Sequence, residues 1–289
     1  MIIATITSGL GNQLFQYALA RQLSIKNKTS LYLDKRFYGS DYARESQRGF
    51  KLDNFNIGYR ELTMPIQYLM KFTKFFSEQT VHPFFSLQKE KYYHFNPAVL
   101  DSADQFIILK GYWHSEKYFA GIEHIIRDEL KFTKVTGQQF AIYKSEVEKS
   151  PISVSVHVRR GDYVHHPEFS KTFGFIGLEY YDSAIAEIEE RYPDARYFVF
   201  TDDPAWVKVN LKLKPNTVYV ENNGPDADID DLHLMSLCAH NIIANSSFSW
   251  WGAWLNNNSQ KIVIAPKKWF KNQPEWDTKD LLPDSWLAI

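Results

Sequence analysis

Polar side chains gather where apolar runs end. HVRRGDY (157–163) closes the run ISVSVHV (152–158) with Arg159, Arg160 and Asp162, RYFVFTD (196–202) delivers Asp202 and Asp203, NTVYVEN (216–222) delivers Glu221, and NIIAN (241–245) passes into Asn245, Ser246 and Ser247. If 152–158 is a strand, alternation puts His157 and Arg159 on one face and Val158 and Arg160 on the other. A strand-end arginine offers a planar, permanently charged donor fork suited to phosphate. The competing reading is a surface Arg160–Asp162 pair of little energetic weight, and His157 taken alone reads as a core histidine. NIIANSSFSWWGAW (241–254) favours the phosphate. A buried strand running through Asn-Ser-Ser into a helix presents hydroxyls and backbone N–H groups at a positive helix terminus. Ser246 or Ser247 also suits an N-cap, and Phe248 and the tryptophans suit ordinary packing. Arginine strand end and Ser-Ser helix start in one sheet make a diphosphate site.

DADIDDLHLMSLCAH (226–240) holds Asp226, Asp228, Asp230 and Asp231. An Asp-x-Asp pair can hold a divalent ion, but acids crowding a helix start complement its dipole, and that reading is the stronger. Asp231 differs because its carboxylate can accept paired N–H donors of the kind a guanine edge offers. SGLGNQLFQYALA (8–20) is a strand-loop-helix turn. Gly9 and Gly11 allow close backbone approach to a ligand. A dinucleotide fingerprint needs a third glycine where Leu14 stands, which weakens an NAD fold, although Asp34 keeps the place of a ribose-binding acid. Asn12 and Gln13 suit sugar hydroxyls.

The elements that must position these residues follow from periodicity. Strands at 152–158, 196–202, 216–222, 241–245 and 261–266 alternate with amphipathic stretches such as LEYYDSAIAEIEERY, in which Tyr181, Ile185 and Ile188 recur at helical spacing. That order predicts a parallel sheet covered by helices on both faces, with ligands beyond the carboxyl ends of its strands. The N-terminal half opens with strand IIATI, a Gly-containing loop, helix LFQYALARQLSIKN and strand SLYLDK. Later, FIILKGYW reads as a buried strand and SEKYFAGIEHIIRDELKF as one helix capped by Ser115. The pattern blurs between about 36 and 100. A helix over 138–149 ending before Ser150-Pro151 marks the expected boundary, giving an N-terminal α/β domain (1–150) with an aromatic-rich insert and a C-terminal Rossmann-like domain (151–289), the last helix packing back on the first.

Composition sets the outer limits. With 289 residues, 33 basic against 34 acidic side chains and a net charge of −1, no global positive field exists to hold a nucleic acid backbone. The single cysteine, Cys238, excludes a disulfide framework and a Cys-based zinc cluster. The start MIIATITSGLGNQ lacks a positive n-region and a long apolar run, so neither a signal peptide nor a membrane anchor is expected, and no window reaches the roughly 20 apolar residues of a bilayer span. A cytoplasmic protein is the expectation.

GLGNQLFQYA (9–18), HVRRGDY (157–163) and DLHLMSLCAHNIIANSSFSWWGAWLN (231–256), in that order over nearly the whole chain, resemble the bacterial α-1,2-fucosyltransferases of glycosyltransferase family 11. These sit within a wider group of fucosyltransferases sharing an H-x-R-R-x-D motif. The resemblance implies a GT-B-type fold, two Rossmann-like domains facing each other across a cleft. It further implies transfer from GDP-β-L-fucose to the 2-hydroxyl of a terminal β-galactoside, inversion at the anomeric carbon, and no cofactor or metal. Carried over by motif, Arg159 is similar to the arginine on the β-phosphate, with His157 beside the nucleotide and Asp231 in the place of the guanine-reading acid. Asn245, Ser246, Ser247 and Phe248 resemble the phosphate- and nucleoside-binding turn. Asn12 and Gln13 are similar to the acceptor-side residues at the reaction centre, Asn12 among the catalytic ones with Arg159 and Asp162, although Asp162 and Arg160 equally suit a supporting role. An O-antigen or capsule acceptor, met at the inner face of the membrane, is the implied context.

Aromatic residues make up 16% of the chain, and they crowd 59–95: Tyr59, Tyr68, Phe72, Phe75, Phe76, Phe84, Phe85, Tyr92, Tyr93 and Phe95. Flat rings hold apolar sugar faces, so Tyr92 and Tyr93 are candidate acceptor-binding residues. A non-catalytic carbohydrate-binding protein and a nicotinamide oxidoreductase are the competing classes.

Overall fold

A computed structural model describes the chain apart from residues 42, 44–48, 73–80, 83–84, 92, 105, 134–136, 223 and 274–275. Two compact units divide it: Met1–Lys134 with Asp277–Leu281, and Val135–Trp276 with Leu282–Ile289. The division precedes the expected Ser150-Pro151 boundary. The reason is the helix Gln138–Glu148, whose Phe140 and Val147 pack with Phe198, Phe200, Leu234 and Met235 of the second unit. The segment returning to the first unit is Asp277–Leu281, which is not a helix. Asp280 ties it there by accepting the backbone N–H of Phe95 at 3.0 Å.

The first unit is a sheet of β1 (Ile2–Thr5), β2 (Leu31–Asp34), β3 (Arg60–Glu61), β4 (Val81–His82), β5 (Phe85–Lys89) and β6 (Ile107–Lys110), in the order β3-β2-β1-β6-β5-β4. Only the β4–β5 pair is antiparallel among the described strands. β1 is central, Ile2 lying opposite both Leu31 and Ile107. The blurred region thus contributes β3, β4 and β5, short strands that carry weak periodicity. The helix expected over SEKYFAGIEHIIRDELKF is two elements, a 3-10 turn Glu116–Phe119 and a helix Glu123–Glu129. Gly121, at φ 92, separates them with a backbone conformation that a continuing helix excludes. Ser115 does cap the first, its Oγ accepting the Lys117 N–H at 3.3 Å.

The second unit is wholly parallel: β7 (Ser153–Val158), β8 (Arg196–Thr201), β9 (Val218–Tyr219), β10 (His240–Ile242), β11 (Val263–Ala265) and β12 (Leu287–Ala288), in the order β12-β11-β10-β7-β8-β9. From β7 the chain winds one way to β9, then returns to β10 and winds the other way. This is the doubly wound order whose reversal, here between β7 and β10, opens a ligand crevice at the strand ends. The two faces of β7 differ. Val154, Val156 and Val158 join the cluster of Tyr181, Ala184, Ile185 and Ile188 from the helix Leu178–Arg191. On the other face Ser155 accepts Asn241 Nδ2 at 2.7 Å, and the same nitrogen reaches the Met235 carbonyl at 2.8 Å. Those bonds hold the helix Ala227–Leu237 to the sheet, and the helix Ser247–Leu255 lies so close to it that a Cβ on Gly252 would meet Met235 Cβ at 2.9 Å. Trp250, Trp251 and Trp254 are buried here, so the tryptophans of SFSWWGAW are packing residues.

Candidate active site

At the end of β7 the backbone leaves the sheet and enters the short helix Gly161–His165. Asp202, from the end of β8, organises the exit. Its Oδ1 accepts the N–H of Arg160 at 2.9 Å and of Gly161 at 3.0 Å, while Oδ2 lies 2.9 Å from Arg159 Nη1. Asp162 holds Arg159 Nη2 at 2.8 Å, and the guanidinium lies 5.7 Å from the Tyr163 ring. Burial opposes its charge, but Asp202 and Asp162 outweigh that and keep the Arg159 pKa above its ordinary value. Arg160 turns away, pairing with Asp203 and lying 4.2 Å over the Trp206 ring. The Arg160–Asp162 surface pair is therefore not what forms. Asp162 supports Arg159, and Gly161 packs closely on Asp202, since a Cβ there would stand 3.0 Å from Asp202 Oδ2.

At the neighbouring end of β10, Ser246 caps the helix Ser247–Leu255, its Oγ accepting the Phe248 N–H at 3.4 Å. Phe248 lies 5.6 Å from the His157 ring. Asn245, expected to touch the donor, serves the frame: its buried Nδ2 donates to the carbonyls of Phe173, Gly174 and Trp269, and its own carbonyl accepts the Tyr163 hydroxyl. Asp231 sits near the start of the helix Ala227–Leu237 and accepts Asn222 Nδ2 at 2.7 Å. Burial raises its pKa to about 7 against that hydrogen bond, with Asp228 and Asp230 adding to the rise. Among the described residues, no three His, Cys, Asp or Glu side chains group as metal ligands.

In the first unit β1 and β6 are neighbours, and the segments that follow them meet. Asn12, in the first turn of the helix Leu10–Lys26, places Oδ1 2.9 Å from His114 Nε2, four residues beyond β6. Gln13 is fully buried and holds the chain: it donates to the carbonyls of Ser8 and Gly49 and accepts the Lys51 N–H. That engagement corrects its expected part in sugar binding. Asp34 is likewise held by Arg36, at 2.7 and 2.8 Å, which removes it as a ribose acid. The Tyr93 ring is 6.3 Å from His114; Tyr92 lies outside the described residues. Asp202, Asn222, Tyr163 and His114 complete these clusters without belonging to the expected site. Of these, Asp202 at a strand end was the one the sequence pointed to.

The chain matches glycosyl transferase family 11 over residues 1–289. The protein belongs to that family. It is 34% identical to the alpha-1,2-colitosyltransferase of Escherichia coli over 100% of this chain and 99% of the relative. It is 32% identical to the O-antigen biosynthesis glycosyltransferase WbnK of Escherichia coli, over 98% and 99%. In fold it is similar to a mutant of Arabidopsis thaliana FUT1 in complex with GDP, with a TM-score of 0.56 at 9% identity over 99% of this chain and 75% of that one. A family 11 glycosyltransferase with two α/β units of GT-B type is thus established. No helix among the described residues is long and apolar enough to cross a membrane.

Burial also sets the acid response. His157 and His114 are both driven to a pKa of about 3, His157 by burial and then by Arg159, His114 by burial alone. In the unfolded chain each titrates near 6.5, so the unfolded state binds the proton first, and the stability held above that pH is lost as pH falls. Glu90 and Asp231, raised to about 7, work the other way. The informative quantity is therefore a difference: the stability of wild type minus that of His157→Gln is expected to fall by about 2 kcal/mol between pH 7.5 and 5. Urea unfolding at both pH values measures it. A pH-independent difference contradicts a neutral, buried His157.

Proposed function

We propose that the protein transfers L-fucose from GDP-β-L-fucose to the 2-hydroxyl of a terminal β-galactoside with inversion, and that it needs no metal ion. The observation that carries this reading is Arg159, held by Asp162 and Asp202 at the reversal of a doubly wound sheet, where β10 delivers the capped start of the helix Ser247–Leu255. As the C1–O bond to GDP breaks, negative charge grows on the β-phosphate and positive charge on the sugar. Fixed donors aimed at the phosphate then stabilise the transition state more than the ground state. Arg159, Ser246 and Ser247 supply them, Asp231 with Asn222 receives the guanine edge, and Phe248 and His157 flank the nucleotide. Asn12 handles the acceptor, together with Tyr93. The hydroxyl attacks from the face opposite GDP and its proton passes to solvent. Asn12 does not titrate and His157 stays neutral, so no general base is assigned.

A second reading concerns the donor sugar. The 34% identical relative is named for colitose, which is fucose without its 3-hydroxyl, and the same phosphate and guanine contacts serve GDP-colitose. Both donors are tested with a β-galactoside in the presence of a chelator, alongside calorimetry with GDP. Fucosyl or colitosyl product decides between them. GDP binding without any product supports a different acceptor, and no GDP binding overturns the reading in favour of a sugar-binding protein.

A further inference from the structure

The loop carrying His114 is built under constraint. Trp113 is buried and left-handed, at φ 62, a conformation that costs a bulky residue about 1–3 kcal/mol and persists only where its surroundings enforce it. Glu90 does so by accepting the N–H groups of Tyr112 at 2.6 Å and Trp113 at 2.8 Å. Gly111 fits against it, since a Cβ there would meet Glu90 Cβ at 2.3 Å. The imidazole that follows is clamped by rings: Tyr112 stacks on it at 5.5 Å and 19°, and Phe15 lies at 5.0 Å. The outcome is a buried histidine whose Nε2 faces Asn12 Oδ1 at 2.9 Å and whose buried Nδ1 has no hydrogen-bond partner among the described residues.

That asymmetry fixes the tautomer. With the proton on Nδ1, a donor would be buried unsatisfied and Asn12 would have to turn its NH2 toward Nε2. With the proton on Nε2, only a lone pair is left over. Buried orphan donors are the rarer and costlier case, so Nε2–H donates to Asn12 and the carbonyl edge of the amide is the one committed to His114. We propose that His114 is a positioning residue that helps to set the orientation of the Asn12 amide for the acceptor sugar, by donating its Nε2–H to the amide oxygen. This rests on the acceptor-side role proposed for Asn12, and it gives a use to so constrained a loop after β6.

Two measurements test it. Long-range proton–nitrogen NMR of the intact protein at pH 7 should show His114 as the Nε2–H tautomer, and an Nδ1–H pattern overturns the proposal whether or not the enzyme turns over. In the transferase assay, His114→Phe should lower acceptor kcat/KM by about thirtyfold or more, with GDP affinity unchanged. His114→Gln, whose amide N–H can replace Nε2–H, should recover most of the rate. In an Asn12→Ala background His114→Phe should add little. An equal loss in both backgrounds, or no recovery with Gln, overturns the positioning role. Absence of turnover by the wild-type protein with every donor and acceptor counts against the proposed function instead, leaving the tautomer to judge His114.

Discussion

Arg159→Ala should abolish turnover while leaving a folded protein, with a loss of about a thousandfold or more in kcat, about 4 kcal/mol of transition-state stabilisation. On the proposed reading the guanidinium is pre-aimed, since Asp162 takes Nη2 and Asp202 takes Nη1, and it need not reorganise as charge develops on a leaving phosphate. Both acids retain other support or exposure when the arginine is removed, Asp202 through two backbone N–H groups, which is why the fold should survive. Arg159→Lys separates charge from shape. A lysine keeps the positive charge but cannot satisfy two carboxylates and a phosphate with one planar fork, so it should recover only part of the rate. Near-normal turnover by Arg159→Ala would remove the phosphate assignment altogether.

The parts of this arrangement that could be read from sequence are those set by local pattern. Five of the six strands of the second unit, the Ser-Ser helix start and the arginine strand end follow from apolar runs ending in polar residues. They need no knowledge of what packs where. What could not be read depends on pairing at a distance. Asn245 and Gln13 are polar residues in motif positions, and each is drawn into buried carbonyl contacts that only the folded loops create. Arg160 looks equivalent to Arg159 until β8 supplies Asp203 to one and Asp202 to the other. His114 follows a strand by four residues in a stretch with no turn signal beyond Gly111, and its meaning comes from Asn12, 102 positions earlier. The domain boundary fails for a related reason, because the helix Gln138–Glu148 is assigned by the unit that buries Phe140, not by the proline that follows it.

Asp202→Ala should be the most damaging change outside the hydrophobic core, and its contrast with Asp202→Asn identifies the cause. One carboxylate fixes the backbone at Arg160 and Gly161 and orients Arg159; hydrogen bonds to a charged group contribute about 1.5–3 kcal/mol each where well made. The side chain keeps 25% of its exposure, so water recovers part of that, and a net loss of about 2–4 kcal/mol is expected. For a unit of this size the midpoint should fall by about 5–15 °C. Asparagine keeps an oxygen for the two N–H groups and gives up the charge on Arg159. It should therefore hold most of the thermal stability while still losing turnover, because an arginine drawn to Asp162 alone is no longer centred for a phosphate. Thermal unfolding and kcat for the two variants separate loop geometry from arginine orientation. If alanine unfolds at the wild-type temperature, the loop is held by something other than Asp202. If asparagine turns over like wild type, the charge on this residue plays no part in aiming Arg159.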